Sequence, residues 1–340
     1  MGIKNEKISK KRFSKILETK EKHKFDDCIF YDDILLDNIK QELEFNNCIF
    51  ENKFTIIGCK FQELIFKNVD FEDLVKIENC KIEKFILENV DFEFIFSFIN
   101  SEVTKEIILN HVEFSEEVFF NESTINDKLD LSKSKFYKEK NFYNIKCDNV
   151  ANRETARIIK DSFEQQNNII EANKFYALEM KEREKELDSK KDFFEWLVFK
   201  FHGLSSNHSQ DWTLVLFWII NINFFYSYLN IETNMWMLAF KILFSLILIL
   251  LIGCMTVKIP EDNEKKRWLT TIPITIVCYF FYGYLVEKDW LLSEYSKNLN
   301  PFSIMRADEA INFGTLLFKI IIAYLIYQLI ISIRQNTRRK

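Results

Sequence analysis

Between Leu43 and Phe136 the apolar positions come in pairs separated by one residue, and the pairs return every five or six residues. Cys48/Phe50, Cys59/Phe61, Val69/Phe71, Cys80/Ile82, Val90/Phe92 and Val112/Phe114 show the pattern most clearly. Phe54/Ile56, Leu64/Phe66, Val75/Ile77, Phe85/Leu87 and Ile107/Leu109 fill the steps between them. Extended from Leu43/Phe45 to Ser134/Phe136, the ladder has 18 rungs; the second residue is apolar in all 18 and the first in 15, with serine in the other three. An amphipathic helix repeats every 3.6 residues and a strand every 2, so neither sustains a step of five. So short a repeat cannot bury its own apolar face, whereas stacked turns of a solenoid can.

The ladder resembles that of pentapeptide-repeat proteins, whose right-handed four-sided β-helix points the central residue and the one two before it inward. The resemblance implies that four rungs make one coil of about 21 residues. It also places Phe50, Phe71, Phe92, Phe114 and Phe136 on one interior face, with coils about 4.8 Å apart. The chain departs from the family in using Phe where Leu is usual, in lacking Ala at the small inward position, and in its frequent six-residue steps, which imply bulged corners. Asn152-Arg153-Glu154-Thr155, Lys174 to Met180, Asn300-Pro301-Phe302-Ser303 and Tyr324 to Gln328 are similar to segments of bacterial pentapeptide-repeat membrane proteins with a four-span C-terminus.

The pattern changes at Trp212. Four apolar runs follow, Trp212–Leu229, Trp236–Met255, Trp268–Val286 and Phe313–Ile333, each long enough as a helix to cross a hydrocarbon core of roughly 30 Å. Four buried helices of a large soluble core are the alternative. The 230–235 loop has no Lys or Arg, whereas the 257–267 loop has Lys258, Lys265, Lys266 and Arg267, and the tail has Arg334, Arg338, Arg339 and Lys340. The positive-inside rule therefore puts both termini in the cytoplasm, with Lys288, Lys297 and Arg306 in the outer loop as a mild dissent. No apolar segment of signal-peptide type precedes the first 200 residues, which are expected to be cytoplasmic. The expected localisation is a bacterial inner membrane.

Residues 152–188 are polar with apolar positions at helical spacing, and Asn167-Asn168 reads as the turn between two helices. Phe193, Phe194, Trp196, Leu197, Phe199 and Phe201 then make an aromatic helix suited to the membrane interface. The expected organisation is a basic segment at 1–24, a β-solenoid at 25–150, a helical linker with interfacial helix at 151–206 and a four-helix transmembrane domain at 207–340. The basic segment either lies on the anionic inner leaflet or caps the solenoid's open end.

Charge sharpens this division. Residues 1–24 carry +6, residues 25–150 carry −13 and residues 151–340 carry +2. Candidate chemistry is sparse. The chain has 6 Gly, 3 Pro and 4 His, with no Gly-rich phosphate loop, no G-x-S-x-G and no H-E-x-x-H, so no catalytic residue, cofactor or metal is expected. Cys28, Cys48, Cys59 and Cys80 lack C-x-x-C spacing and read as small buried hydrophobes. Within the apolar runs Lys241, Lys319, Asn221 and Asn223 are the pore-lining candidates, with snorkelling or structural hydrogen bonding as the alternative.

The function expected is non-enzymatic. An acidic cytoplasmic solenoid tethered to the bilayer would serve as an interaction or sensing platform for a protein partner. The alternative is an oligomeric ion channel or pore regulated by the solenoid. A lesser one is a DNA mimic that binds a nucleic-acid enzyme; binding of nucleic acid itself is not expected.

Overall fold

The computed structural model describes residues 2–18, 23–40, 42–229, 293–300 and 312–337, with Trp236, Pro273, Ile276 and Phe280 besides. They form two compact units that divide between Trp196 and Leu197. The first is a parallel β-solenoid of about seven turns. Its long strands stack in register from coil to coil: Leu43–Phe50, Lys60–Phe71, Lys81–Phe92, Glu102–Phe114 and Lys128–Phe136. A second sheet stacks Ile34–Asp37, Phe54–Ile57, Val75–Glu78, Phe96–Ile99, Val118–Phe119 and Lys140–Asn141.

The ladder is the core. Of the 36 rung positions 34 are buried; Ser134 and Phe136, in the last rung, are half-buried. Phe50, Phe71, Phe92 and Phe114 are at most 2% exposed and stack ring on ring, with centroids 4.8, 5.0 and 4.9 Å apart. Phe136 continues the stack at 5.1 Å but lies on a strand that pairs only with Glu102–Phe114 among named strands, so its outer side is less covered. Phe30, stacked on Phe50 at 4.4 Å, extends the column the other way. These spacings match the distance between paired strands. Backbone pairing and ring stacking therefore satisfy one geometry.

The corners follow a rule that the apolar ladder does not display. Two columns of residues have left-handed backbone. One comprises Asn5, Asp27, Asn47, Asn68, Asn89 and His111, and the other Asn38, Gly58, Asn79, Asn100, Glu122 and Asn144, all with φ between 47° and 64°. From Asn47 to Glu122 each sits just before an inward residue reached by a five-residue step, such as Cys48, Val69, Val90 or Cys59. The left-handed corners therefore fall on five-residue steps, though the steps from 59 to 64, 80 to 85 and 129 to 134 have none. Where a five-residue step in one coil faces a six-residue step in the next, the pairing slips instead, as between Ile82 and Lys84. Asn tolerates left-handed backbone better than other non-glycine residues, and here its amide gains a second role. Asn68 Nδ2 donates to Asn47 Oδ1 at 3.0 Å, and Asn89 Nδ2 donates to Asn68 Oδ1 at 2.9 Å. Asn68→Val should therefore cost about 2 kcal/mol or more, from backbone strain and a broken amide ladder. Asn68→Gly should cost less than half of that in denaturant titrations. Equal losses would mean that the ladder, not the backbone, sets the cost.

Strand pairing begins before residue 25. Gly2–Lys4 and Lys7–Ile8 pair with His23–Asp26 and Ile29–Phe30. The helix α1 (Lys10–Leu17), capped by Ser9 accepting from Arg12 N, drops Phe13 onto the rings of Phe25 and Phe30. Part of the basic segment thus closes the first coil, because an open end would leave those rings in water. At the other end Asn152 caps α2 (Arg153–Gln165), and Thr155 Oγ1 accepts from Leu131 N at 2.9 Å. Ala156, Ile159 and Phe163 of α2 join the solenoid core, as do Ala172 and Phe175 of α3 (Ile169–Glu186). These two helices, expected as part of a helical linker at 151–206, thus pack against the solenoid core. Buried Glu179 is held by Lys160 at 2.6 Å and Arg157 at 3.4 Å. Its burial would raise the carboxyl, but the Lys160 hydrogen bond and the cations hold it below the usual Glu range.

The second unit comprises most of α4 (Phe193–Ser206), then α5 (Trp212–Leu229), α6 (Ser293–Leu299) and α7 (Phe313–Thr337). Among the described residues two helical segments are long and apolar enough to cross a membrane, Trp212–Leu229 and Phe313–Gln335. The other two expected spans, Trp236–Met255 and Trp268–Val286, fall largely outside the described residues, and so does Lys241. Two such helices, not four, are therefore on view.

Candidate functional site

The solenoid interior is filled by its own side chains, which leaves the outer wall and the helical unit as places for function. On the wall, charged residues pair between coils: Lys67 with Glu88 at 3.1 Å, Lys81 with Glu102 at 2.9 Å and Lys105 with Glu83 at 2.7 Å. One column departs from this order until its last acid, Glu113, which pairs with Lys135 on the following coil. Asp70, Asp91 and Glu113 stand in register on three successive coils. Burial and the flanking Asp70 and Glu113 carboxylates push the Asp91 carboxyl above its ordinary value. Like charges directly opposite on paired strands are destabilising, so Asp91 between Asp70 and Glu113 opposes folding, with Lys135 beside Glu113 offsetting part of the repulsion.

The solenoid's cysteines lie inside the wall. Cys28, Cys48, Cys59, Cys80 and Cys147 are buried free thiols. Burial pushes Cys48 and Cys147 up to about 12, away from the reactive thiolate.

The helical unit gathers two of its pore-lining candidates and leaves one aside. Asn221 Nδ2 donates to Phe217 O one turn back on its own helix, at 2.8 Å. Asn223 is fully buried and its Nδ2 donates to Tyr295 O at 2.9 Å. Lys319 is 4% exposed, and its ammonium donates to Asn298 O and Asn300 O, each at 2.8 Å. Those carbonyls close the C-terminal end of α6, where a helix leaves acceptors unpaired and a cation is favoured. Asn298 Nδ2 in turn donates to Ser227 Oγ at 2.9 Å. Lys319 and Asn223 thus hold α6 against the two long helices. Among the described residues, Lys319 thus makes structural hydrogen bonds, the alternative to pore lining that the sequence left open.

Sequence reading missed Ser227, Asn298 and the Tyr226–Thr315 hydroxyl pair at 2.8 Å. Their only signal was polar residues at one-turn spacing inside an apolar run. The left-handed columns had a clearer one, Asn recurring about every 21 residues before the inward position.

No family model, curated protein or solved structure matches this chain.

Proposed function

We propose that this chain is a non-enzymatic, membrane-tethered member of the pentapeptide-repeat class, with a right-handed four-sided solenoid that serves as a protein-interaction platform. The observation behind the reading is the sealed solenoid: its interior is packed and both ends are capped by helices, so only its outer wall can meet a ligand. The wall also suggests the partner's chemistry. Residues 25–150 carry −13, and a carboxylate column whose Asp91 opposes folding gains by meeting a surface rich in Lys and Arg. The exposed Phe194, Val198, Phe201 and Leu204 of α4 suit an interfacial helix beside the spans.

A photo-crosslinking residue at exposed Glu93, in the full chain in its native membrane, tests the platform. It should yield a defined protein adduct that is lost at high salt and in the Asp70→Asn/Asp91→Asn variant. That variant should also melt slightly higher. Since Asp91 is raised in the folded state, its ionised form opposes folding, and the gain should shrink as pH falls through its folded value. Ion conductance by the pure, assembled protein, with no adduct, would overturn the platform in favour of the channel.

Topology follows from the same reading, with the solenoid and both termini cytoplasmic. Cysteine at exposed Lys297 should react with an impermeant thiol reagent in outer-membrane-permeabilised cells, above the unsubstituted chain. Cysteine at exposed Thr337 should not. The opposite labelling would reverse the orientation.

A further inference from the structure

The turn between α4 and α5 brings two of the four histidines together, six residues apart in sequence. His208 Nδ1 lies 3.4 Å from His202 Nδ1, and their rings are nearly perpendicular. His208 is 1% exposed. The turn holds it there by an unusual backbone: Asn207, His208 and Ser209 are left-handed in succession, with φ of 47°, 53° and 67°. None is glycine; Asn207 tolerates this backbone, whereas His208 and Ser209 adopt it at a cost, and such strain concentrates at ligand sites and switches.

The hydrogen bonds around the pair fix one tautomer. Gln328 Oε1 accepts from Ser209 Oγ–H and from Ser206 Oγ–H, each at 3.3 Å. With its proton committed to Gln328, Ser209 Oγ accepts from His202 Nε2–H at 3.0 Å. His202 Nδ1 then carries a lone pair turned toward His208 Nδ1, 3.4 Å away. A metal-bound imidazole is normally oriented in this way, one nitrogen donating to a fixed acceptor and the other turned to the ion.

We propose that His202 and His208 form a two-histidine site for a borderline divalent transition-metal ion of the Zn²⁺ class, with Ser209 and Gln328 as positioning residues. The distance suits such an ion. Two nitrogens bound tetrahedrally at about 2.0–2.1 Å lie about 3.3–3.4 Å apart. At 3.4 Å, by contrast, a direct N–H···N bond is long. Imidazole nitrogens favour zinc, copper or nickel over hard, oxygen-seeking Mg²⁺ and Ca²⁺. No third His, Cys, Asp or Glu joins the pair among the described residues. The site is independent of what the solenoid wall binds.

The experiment uses the full chain in detergent, purified without a histidine tag, with Zn²⁺ and Co²⁺ as probes. One equivalent of Zn²⁺ should bind. Bound Co²⁺ should give the intense blue absorption of a four-coordinate ion, and Mg²⁺ should not compete. His202→Asn and His208→Asn should each weaken uptake by about tenfold or more, and Ser209→Ala by about tenfold through loss of ring orientation. If a histidine variant fails to fold, X-ray absorption on the unsubstituted, zinc-loaded chain decides, with two imidazoles expected in the coordination shell. No uptake at submillimolar Zn²⁺, undiminished uptake in the folded double variant, or a shell without imidazole would each overturn the site.

Discussion

Phe92→Ala should destabilise the solenoid by about 3–5 kcal/mol, the usual cost of emptying a buried Phe site. The ring is 2% exposed and sits between Phe71 at 5.0 Å and Phe114 at 4.9 Å, with Phe96 against its side at 4.8 Å. The hole cannot readily collapse. Phe71 and Phe114 belong to strands pinned on either side by in-register pairing, so the coils cannot close without breaking backbone hydrogen bonds. Lys81→Ala is the control. Its side chain points outward and pairs with Glu102 on the next coil at 2.9 Å with both groups exposed. Exposed pairs contribute little, so the loss should stay under about 0.5 kcal/mol. Denaturant titration of the β-sheet signal measures both. Equal sensitivity at the two sites would overturn the inward register.

Lys319→Met should cost the helical unit about 2–4 kcal/mol. Methionine keeps the length and apolar stem but removes the donors that satisfy Asn298 O and Asn300 O. A buried acceptor left without a partner costs about 1–3 kcal/mol, and these two bonds are part-buried. Lys319→Glu should be worse, because a carboxylate would face two carbonyl oxygens. Both variants should lower the melting temperature in detergent and loosen α6, read as faster amide exchange over Ser293–Leu299. Neither should create or alter ion flux in reconstituted bilayers. A conductance whose reversal potential moved with the charge at 319, in a variant of unchanged stability, would put the ammonium in a water-filled path instead.

The solenoid was legible in the sequence for a physical reason. A coil of about four rungs buries the same two positions of each rung, so one local rule repeats until it stands above the composition. That periodicity, read with the four-sided coil that the resemblance implies, marked Phe50, Phe71, Phe92 and Phe114 as a single column and serine at 101 and 123 as inward residues. Chain ends were harder. The coils before Leu43 run through His23/Phe25, Cys28/Phe30 and Ile34/Leu36, where basic and acidic residues crowd the pattern. Only three-dimensional pairing showed that Gly2 belongs to the sheet and that Phe13 closes it.

The polar residues of the helical unit were visible as types but not as partners. Lys319 in an apolar run admits snorkelling, a pore or a structural bond; what decides is where the carbonyls of Asn298 and Asn300 lie, some twenty residues away along the chain. The same holds for His202 and His208. Their spacing of six places them on no common helical face, and only the left-handed turn at Asn207–Ser209 folds one ring back on the other. Repetition lets a sequence state its own packing; a site made once, by a turn or a crossing, exists only in the folded chain.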